Sequence, residues 1–389
     1  MTIARGELQQ VAYVAESTYK TTPGSPTMLE LWHNTESMRP VRQPFESGRS
    51  LGDRQLADVR MGRKSGAGEI TSELTYANFD DFLAAAIGHA GFPTAFTEIS
   101  GLTFAVTEDT THGGGIIADS GSGMSDVTAG DVIVTAGFTE AGNNGKFLVL
   151  TAAAGSLSVA PLYTGQTAMV TEAEGDSVTI NEVVAISNGT VEDSFSLELL
   201  YPDITRYHTY LGTMINTAAL TVPPNGIVTA NWGLLAAAYD EAGTSLGTPT
   251  VPTQYSPFDG LSGPYLEGGT ANSLMTGLSL NVNNNSQLTE ALGSDEAAEA
   301  IPRKFRCDGN ISFYKEDDTI SAKFFAETES SIVFTLTDPD SNSYTVYLPR
   351  IKYTGAEEGK GDDGPIVSRM NYMVIRDLYN LKSIVIEKS

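Results

Sequence analysis

Apolar and polar residues alternate along most of the chain, as in Phe195-Ser196-Leu197-Glu198-Leu199 and Tyr344-Thr345-Val346-Tyr347-Leu348. A period of two bounded by Gly, Asn, Asp and Pro predicts strands with one buried face. Turn signals are dense: Pro224-Asn225-Gly226, Asp338-Pro339-Asp340 and Asp362-Asp363-Gly364-Pro365. Helical spacing appears in two places, Asn78 to Ile87 and Thr319 to Glu329. Acidic residues stand at or just before the first turn of each, where they suit the helix dipole. The fold class expected is mainly β, with sandwich- or barrel-forming modules and one short flanking helix in each.

The pattern divides the chain. Residues 95–185 carry one basic residue, Lys146, against eleven acidic ones, and are rich in Gly, Thr, Ala and Val. They read as a small all-β domain inserted into a host, on its outer surface. Residues 243–269, dense in Pro and Gly, read as a linker. The rest reads as a repeat. Gly68-Glu69-Ile70-Thr71-Ser72-Glu73-Leu74 matches Gly309 to Lys315, and both follow basic runs, Arg63-Lys64 and Arg303-Lys304-Phe305-Arg306. Both precede an acidic-capped helix. Ser194-Phe195-Ser196-Leu197 then matches Ser331 to Phe334, and Asn225 to Trp232 matches Gly364 to Tyr372. The organisation expected is a first module of residues 1–94 and 186–242, the insert, the linker, and a second module of residues 270–389.

Charge and chemistry narrow the function. With 48 acidic and 23 basic residues the net charge is -25, which disfavours a basic nucleic-acid-binding face. Cys307 is the single cysteine, so no internal disulfide or multi-cysteine metal site is possible. No apolar run reaches 18 residues, and Met1 to Glu7 lack a signal-peptide core. The chain is therefore expected to stay in the cytoplasm that makes it, without membrane contact. His33, His89, His112 and His208 lie in no catalytic motif. Neither Asp338-Pro339-Asp340 nor Asp362-Asp363-Gly364 has calcium-loop spacing. No enzyme, cofactor or metal is expected.

One stretch carries a family resemblance. Glu46-Ser47-Gly48-Arg49-Ser50-Leu51-Gly52-Asp53-Arg54-Gln55-Leu56-Ala57-Asp58-Val59-Arg60 leads through Gly68-Glu69-Ile70 to Phe79-Asp80-Asp81-Phe82-Leu83, after an early Glu16-Ser17-Thr18-Tyr19. This pattern resembles the tail tube proteins of bacteriophages with long non-contractile tails. The resemblance implies a structural virion protein, assembled in the host cytoplasm, whose stacked (pseudo-)hexameric rings form a conduit for DNA. Two modules per chain favour a ring of three chains over six. It also implies contact with a tape measure protein and with tail completion or initiator proteins, and DNA passing without specific binding. Early loops would reach the next ring or subunit. They carry Arg49, Asp53, Arg54, Asp58, Arg60, Arg63 and Lys64, with Glu290, Asp295, Glu296, Arg303 and Lys304 in the counterpart. The alternative is a capsid- or tail-decorating, or glycan-binding, β protein.

Overall fold

The computed structural model describes residues 3–50, 52–359 and 364–389. The turn expected at Asp362-Asp363 lies outside them. The chain is mainly β, with a large antiparallel main sheet and a separate seven-stranded one.

The main sheet contains the same strand order twice. In the first half, neighbours run Gln10–Ala15, Phe195–Tyr201, Arg206–Val222, Thr229–Ala242, Val59–Glu73, Arg39–Glu46, all antiparallel. In the second half they run Tyr265–Glu267, Ser330–Thr337, Ser343–Glu358, Val367–Val374, Arg306–Tyr314, Met275–Asn283, again all antiparallel. The irregularities recur as well. A bulge separates Phe195 from Leu197, and another Ser330 from Ile332. A second pair of bulges falls between Ile215 and Thr217 and between Tyr353 and Gly355. Bulges re-aim a strand and add local twist, so paired bulges give the halves the same curvature. Gly68 and Gly309 hold equivalent places. A Cβ on Gly68 would lie 2.5 Å from the Cα of Met38, and one on Gly309 2.0 Å from the Ser279 carbonyl, so the neighbouring strand forbids any side chain there.

The halves join edge to edge. Met275–Asn283, the outer strand of the second half, pairs antiparallel with the end of Arg206–Val222, from Thr217 opposite Asn283 to Val222 opposite Leu278. One hydrophobic core runs beneath this seam and includes Leu220, Trp232, Leu280, Phe334 and Tyr372.

Helix α1 (Asp80–Ile87) is buried from Phe82 to Ile87. Phe79 stacks on Trp232 at 5.8 Å and Phe82 meets it edge-on at 5.6 Å. The Trp232 Nε1–H donates to Ser72 Oγ at 3.1 Å. Asn78 does not cap this helix: its amide donates instead to Thr75 Oγ1 and the Thr253 carbonyl, each at 3.0 Å. Helix α2 (Thr319–Phe325) is shorter than the spacing predicts. Glu327 adopts a left-handed φ of 52°, which stops the helix and turns the chain into Ser330–Thr337.

The strands between Ile99 and Val183 form the seven-stranded sheet around a core of their own that includes Phe104, Ile117, Ile133, Phe147 and Val159. This unit does not float. Val132, Leu148, Leu162 and Val183 pack on Val333, Tyr347 and Val385 of the second half. Lys146 Nζ reaches the buried Glu387 at 2.5 Å, and Tyr347 OH donates to the same carboxylate at 2.7 Å. Residues 243–269 cross between the halves while bonded along the way. Pro249–Thr250 pairs with Met28 and Leu29, Tyr265–Glu267 pairs with Ile332 to Phe334, and Phe258 is fully buried.

Candidate assembly site

The hairpin of Arg39–Glu46 and the start of Val59–Glu73 projects as an arm whose first strand is exposed at every position. Its loop carries Arg49, Asp53, Arg54 and Asp58, and Arg60 is the second residue of the return strand; all five are exposed. The two aspartates shape the loop: Asp53 Oδ1 accepts from the Gln55 N–H at 3.0 Å and Asp58 Oδ1 from the Val59 N–H at 2.9 Å. Arg49, Arg54 and Arg60 have no ion-pair partner among the described residues. Apolar side chains lie beside them. Phe45 is 58% exposed, Leu56 54% and Met61 52%, although no core lies within their reach. The sequence reading missed these. Their signal is an apolar set in a strand pair too polar on both faces to be a core element.

At the base of the arm, residues from the two expected loops meet within the chain. Arg63 Nη2 lies 3.2 Å from Glu290, and Arg63 Nη1 donates to the Thr289 carbonyl at 3.4 Å. Lys64 Nζ lies 3.6 Å from Asp295, whose carbonyl accepts the Lys64 N–H at 2.7 Å. Glu296 pairs with Lys20 at 2.5 Å, a partner absent from the sequence reading. Arg303 donates to Gln287 Oε1 at 3.3 Å, and Lys304 is exposed. Arg63, Lys64, Glu290, Asp295 and Glu296 thus clamp one half to the other, whereas Arg49, Arg54 and Arg60 face solvent.

The face of the joined sheet away from the core is built mostly from small polar residues, with the exposed Arg306 and Arg369 among them. Thr217 and Thr221, Asn231, Ser279 and Asn281, and Asp308 and Asn310 alternate with core residues along adjacent strands. They bond to one another: Asn310 Nδ2 donates to Ser279 Oγ at 2.6 Å, Asn231 Nδ2 to Glu69 Oε2 at 3.0 Å, and Asn281 Nδ2 to Asp308 Oδ1 at 3.3 Å. Amides and hydroxyls that satisfy each other offer a wetted surface. The interspersed Glu69 and Asp308 repel phosphate.

Chemistry elsewhere is sparse. Among the described residues no group of three His, Cys, Asp or Glu is placed to hold a metal. Asp338 spends its carboxylate on its own hairpin, accepting from the N–H groups of Asp340 and Asn342, each at 2.9 Å. Burial pushes the Cys307 thiol far up, so it is inert. His112 is held by Asp109 at 2.9 Å and stacks on Tyr379; His89 Nδ1–H donates to the Gly91 carbonyl at 2.9 Å. Among the described residues no helix is long and apolar enough to cross a membrane.

No curated protein matches the chain. A family model described as phage tail tube protein matches residues 6–374, a span that takes in both halves of the joined sheet, the arm and the seven-stranded unit. Because that match spans nearly the whole chain, the chain belongs to the phage tail tube protein family.

Proposed function

We propose that this structural, non-enzymatic tail tube subunit carries two tube modules, residues 1–94 with 186–242 and residues 270–389 with the strand Tyr265–Glu267, and that three chains close one ring of pseudo-sixfold symmetry. The observation that carries the reading is the doubled strand order joined edge to edge. An edge-to-edge join leaves a free edge at each end. Head-to-tail repetition of such a join closes a ring or runs on as a filament, and closure removes every exposed edge.

In this reading the small polar face is the lumen wall. Glu69, Asp308 and Glu357 offset Arg306 and Arg369 on that wall, so phosphate meets no continuous basic track and duplex DNA slides. The arm reaches the adjacent ring, where Phe45, Leu56 and Met61 are covered and Arg49, Arg54 and Arg60 meet the acidic surface of a neighbour. The 95–185 unit is an inserted domain on the outer wall, clamped to the second module. The tape measure protein inside, and the completion or initiator proteins at the ends, complete a tail of the long non-contractile type.

Electron microscopy of concentrated purified protein tests the reading. Hollow tubes with threefold end-on averages are expected. Solid particles or flat sheets without a lumen would overturn it.

A further inference from the structure

We infer that the seam between chains is the strand segment Ser37–Val41 of one copy laid antiparallel on residues 355–359 of a second copy, in the register of the internal seam, with Arg39 directly opposite Glu357. This rests on the ring reading above.

The register follows from the duplication. Ile70 pairs with Glu36 as Ile311 pairs with Leu278. Ala67 pairs with Arg39 as Asp308 pairs with Asn281. Segment 36–41 is therefore the counterpart of 278–283. The shared bulges make Gly355 the counterpart of Thr217. Thr217 to Val222 accept the second half's edge within the chain. Their counterparts from Gly355 pair on one side with Val367–Val374 and on the other with nothing among the described residues. Copying the internal pairing, where Ala219 faces Asn281, sets Glu357 opposite Arg39 and Glu358 opposite Met38. Arg39 and Glu357 are both exposed, and neither has an ion pair among the described residues, so the pairing matches opposite charges.

The helices agree with this assignment. Helix α1 packs over the internal seam, against Arg206–Val222 and Met275–Asn283, and is buried throughout its last six residues. Helix α2 packs on the matching strand Ser343–Glu358 but has no buried residue. Phe325 is 79% exposed. An incoming edge strand with its flanking loop would cover this helix as the second half covers α1.

The free edge is guarded. Ser37 N–H donates inward to the Glu69 carbonyl, so strand alternation turns the main chain of Met38 and Pro40 outward to the open side. Pro40 has no N–H to offer. The Met38 N–H is already taken by Glu36 Oε2 at 2.9 Å, and Gln9 Nε2 steadies that carboxylate at 2.7 Å. The lone chain thus presents few donors to a chance partner, and pairing requires Glu36 to release Met38.

Cysteine cross-linking tests the seam. Arg39 and Glu357 would form a non-hydrogen-bonded cross-strand pair, with Cα atoms about 4.5 Å apart, within disulfide reach. The single native cysteine, Cys307, is buried. The double variant Arg39→Cys with Glu357→Cys, assembled and mildly oxidised, is expected to give covalent chain-to-chain links that close at three. Arg39→Cys with Gly359→Cys, slipped two residues, is expected to give none. Tubes that form without the 39–357 link, or that link through 39–359, would overturn the seam and leave the tube reading standing. Failure of every variant and of the parent to form rings would overturn the tube reading and the seam with it. Because the cysteines remove the charge pair, a second set keeps it. Arg39→Glu alone is expected to raise the threshold concentration for assembly about threefold, and Arg39→Glu with Glu357→Arg to restore it when Arg369, opposite Glu357 within the chain, is changed to Glu as well. No recovery in the swapped pair would contradict the register.

Discussion

Pro40→Val gives the free edge the donor it lacks. In the internal seam the corresponding residue is Val282, opposite Ala218, and Asn284, two residues on, donates its N–H to the Asn216 carbonyl at 2.9 Å. Alternation makes Val282 a donor across that seam as well. In the seam between chains Pro40 leaves the Ala356 carbonyl unmet. One backbone hydrogen bond is worth about 1 kcal/mol net, and each subunit in a closed ring contributes one such edge. The threshold concentration for assembly should therefore fall about fivefold, since about 1.4 kcal/mol is a factor of ten. A contrary effect acts on the subunit alone. Losing proline frees the unfolded chain and costs about 0.4–1 kcal/mol of stability, which lowers Tm by a few degrees at most. Light scattering over a dilution series reads the first quantity, and thermal unfolding of the dilute subunit reads the second. An unchanged or raised threshold, with Tm within that margin, would refute the assignment of this edge to the seam.

Other expected outcomes concern the arm, the insert and a buried acid. Arg54→Glu with Arg60→Glu should leave Tm unchanged, because both are exposed and unpaired, yet block stacking of rings into tubes in sedimentation; normal tubes would remove the arm from the stacking contact. Lys146→Met should cost about 2 kcal/mol in urea unfolding, since it strands the buried Glu387 with Tyr347 as its remaining partner; no change would mean the insert is not clamped through this pair. Deleting residues 95–184 should leave the joined sheet folded but sticky, because Val333, Tyr347 and Val385 lose their cover; a monodisperse deletion variant would contradict that packing. Glu198 is fully buried. Burial pushes its carboxyl up, against the pull of hydrogen bonds from Ser245 Oγ and Leu246 N–H. The folded chain then holds this proton where the unfolded chain has lost it, so stability falls as pH rises above the ordinary carboxylate range. Glu198→Gln should flatten that part of the pH–stability curve, and an unaltered slope would place its origin elsewhere.

The strands were legible because period two survives any local detail. The doubled order was legible where sequence and structure share rare features. Gly68 and Gly309 align in both because the adjoining strand tolerates no Cβ at either place. The closing strands aligned less well. The residues suggest Trp232 beside Tyr372, whereas the sheet sets Trp232 against Ile70 and Met370 against Ile311. A slip of two keeps every side chain on its face, so the apolar pattern cannot detect it, and only the partner strand fixes the register. The seating of the 95–185 unit was also invisible. Val333 and Val385 look like ordinary strand residues until the insert covers them. Of the loop charges, those near the strands proved to bind the two halves and those at the tip to face outward. Composition alone cannot separate these, because the separation depends on where the second loop folds back.

The measurement that bears most directly on the central claim is a cryo-electron-microscopy reconstruction of the assembled tube without imposed symmetry. The account predicts three chains per ring, six modules around the lumen, and residues 37–41 of each chain paired with 355–359 of the next, Arg39 against Glu357. Six chains per ring, or a chain-to-chain contact made without those two edges, would contradict it.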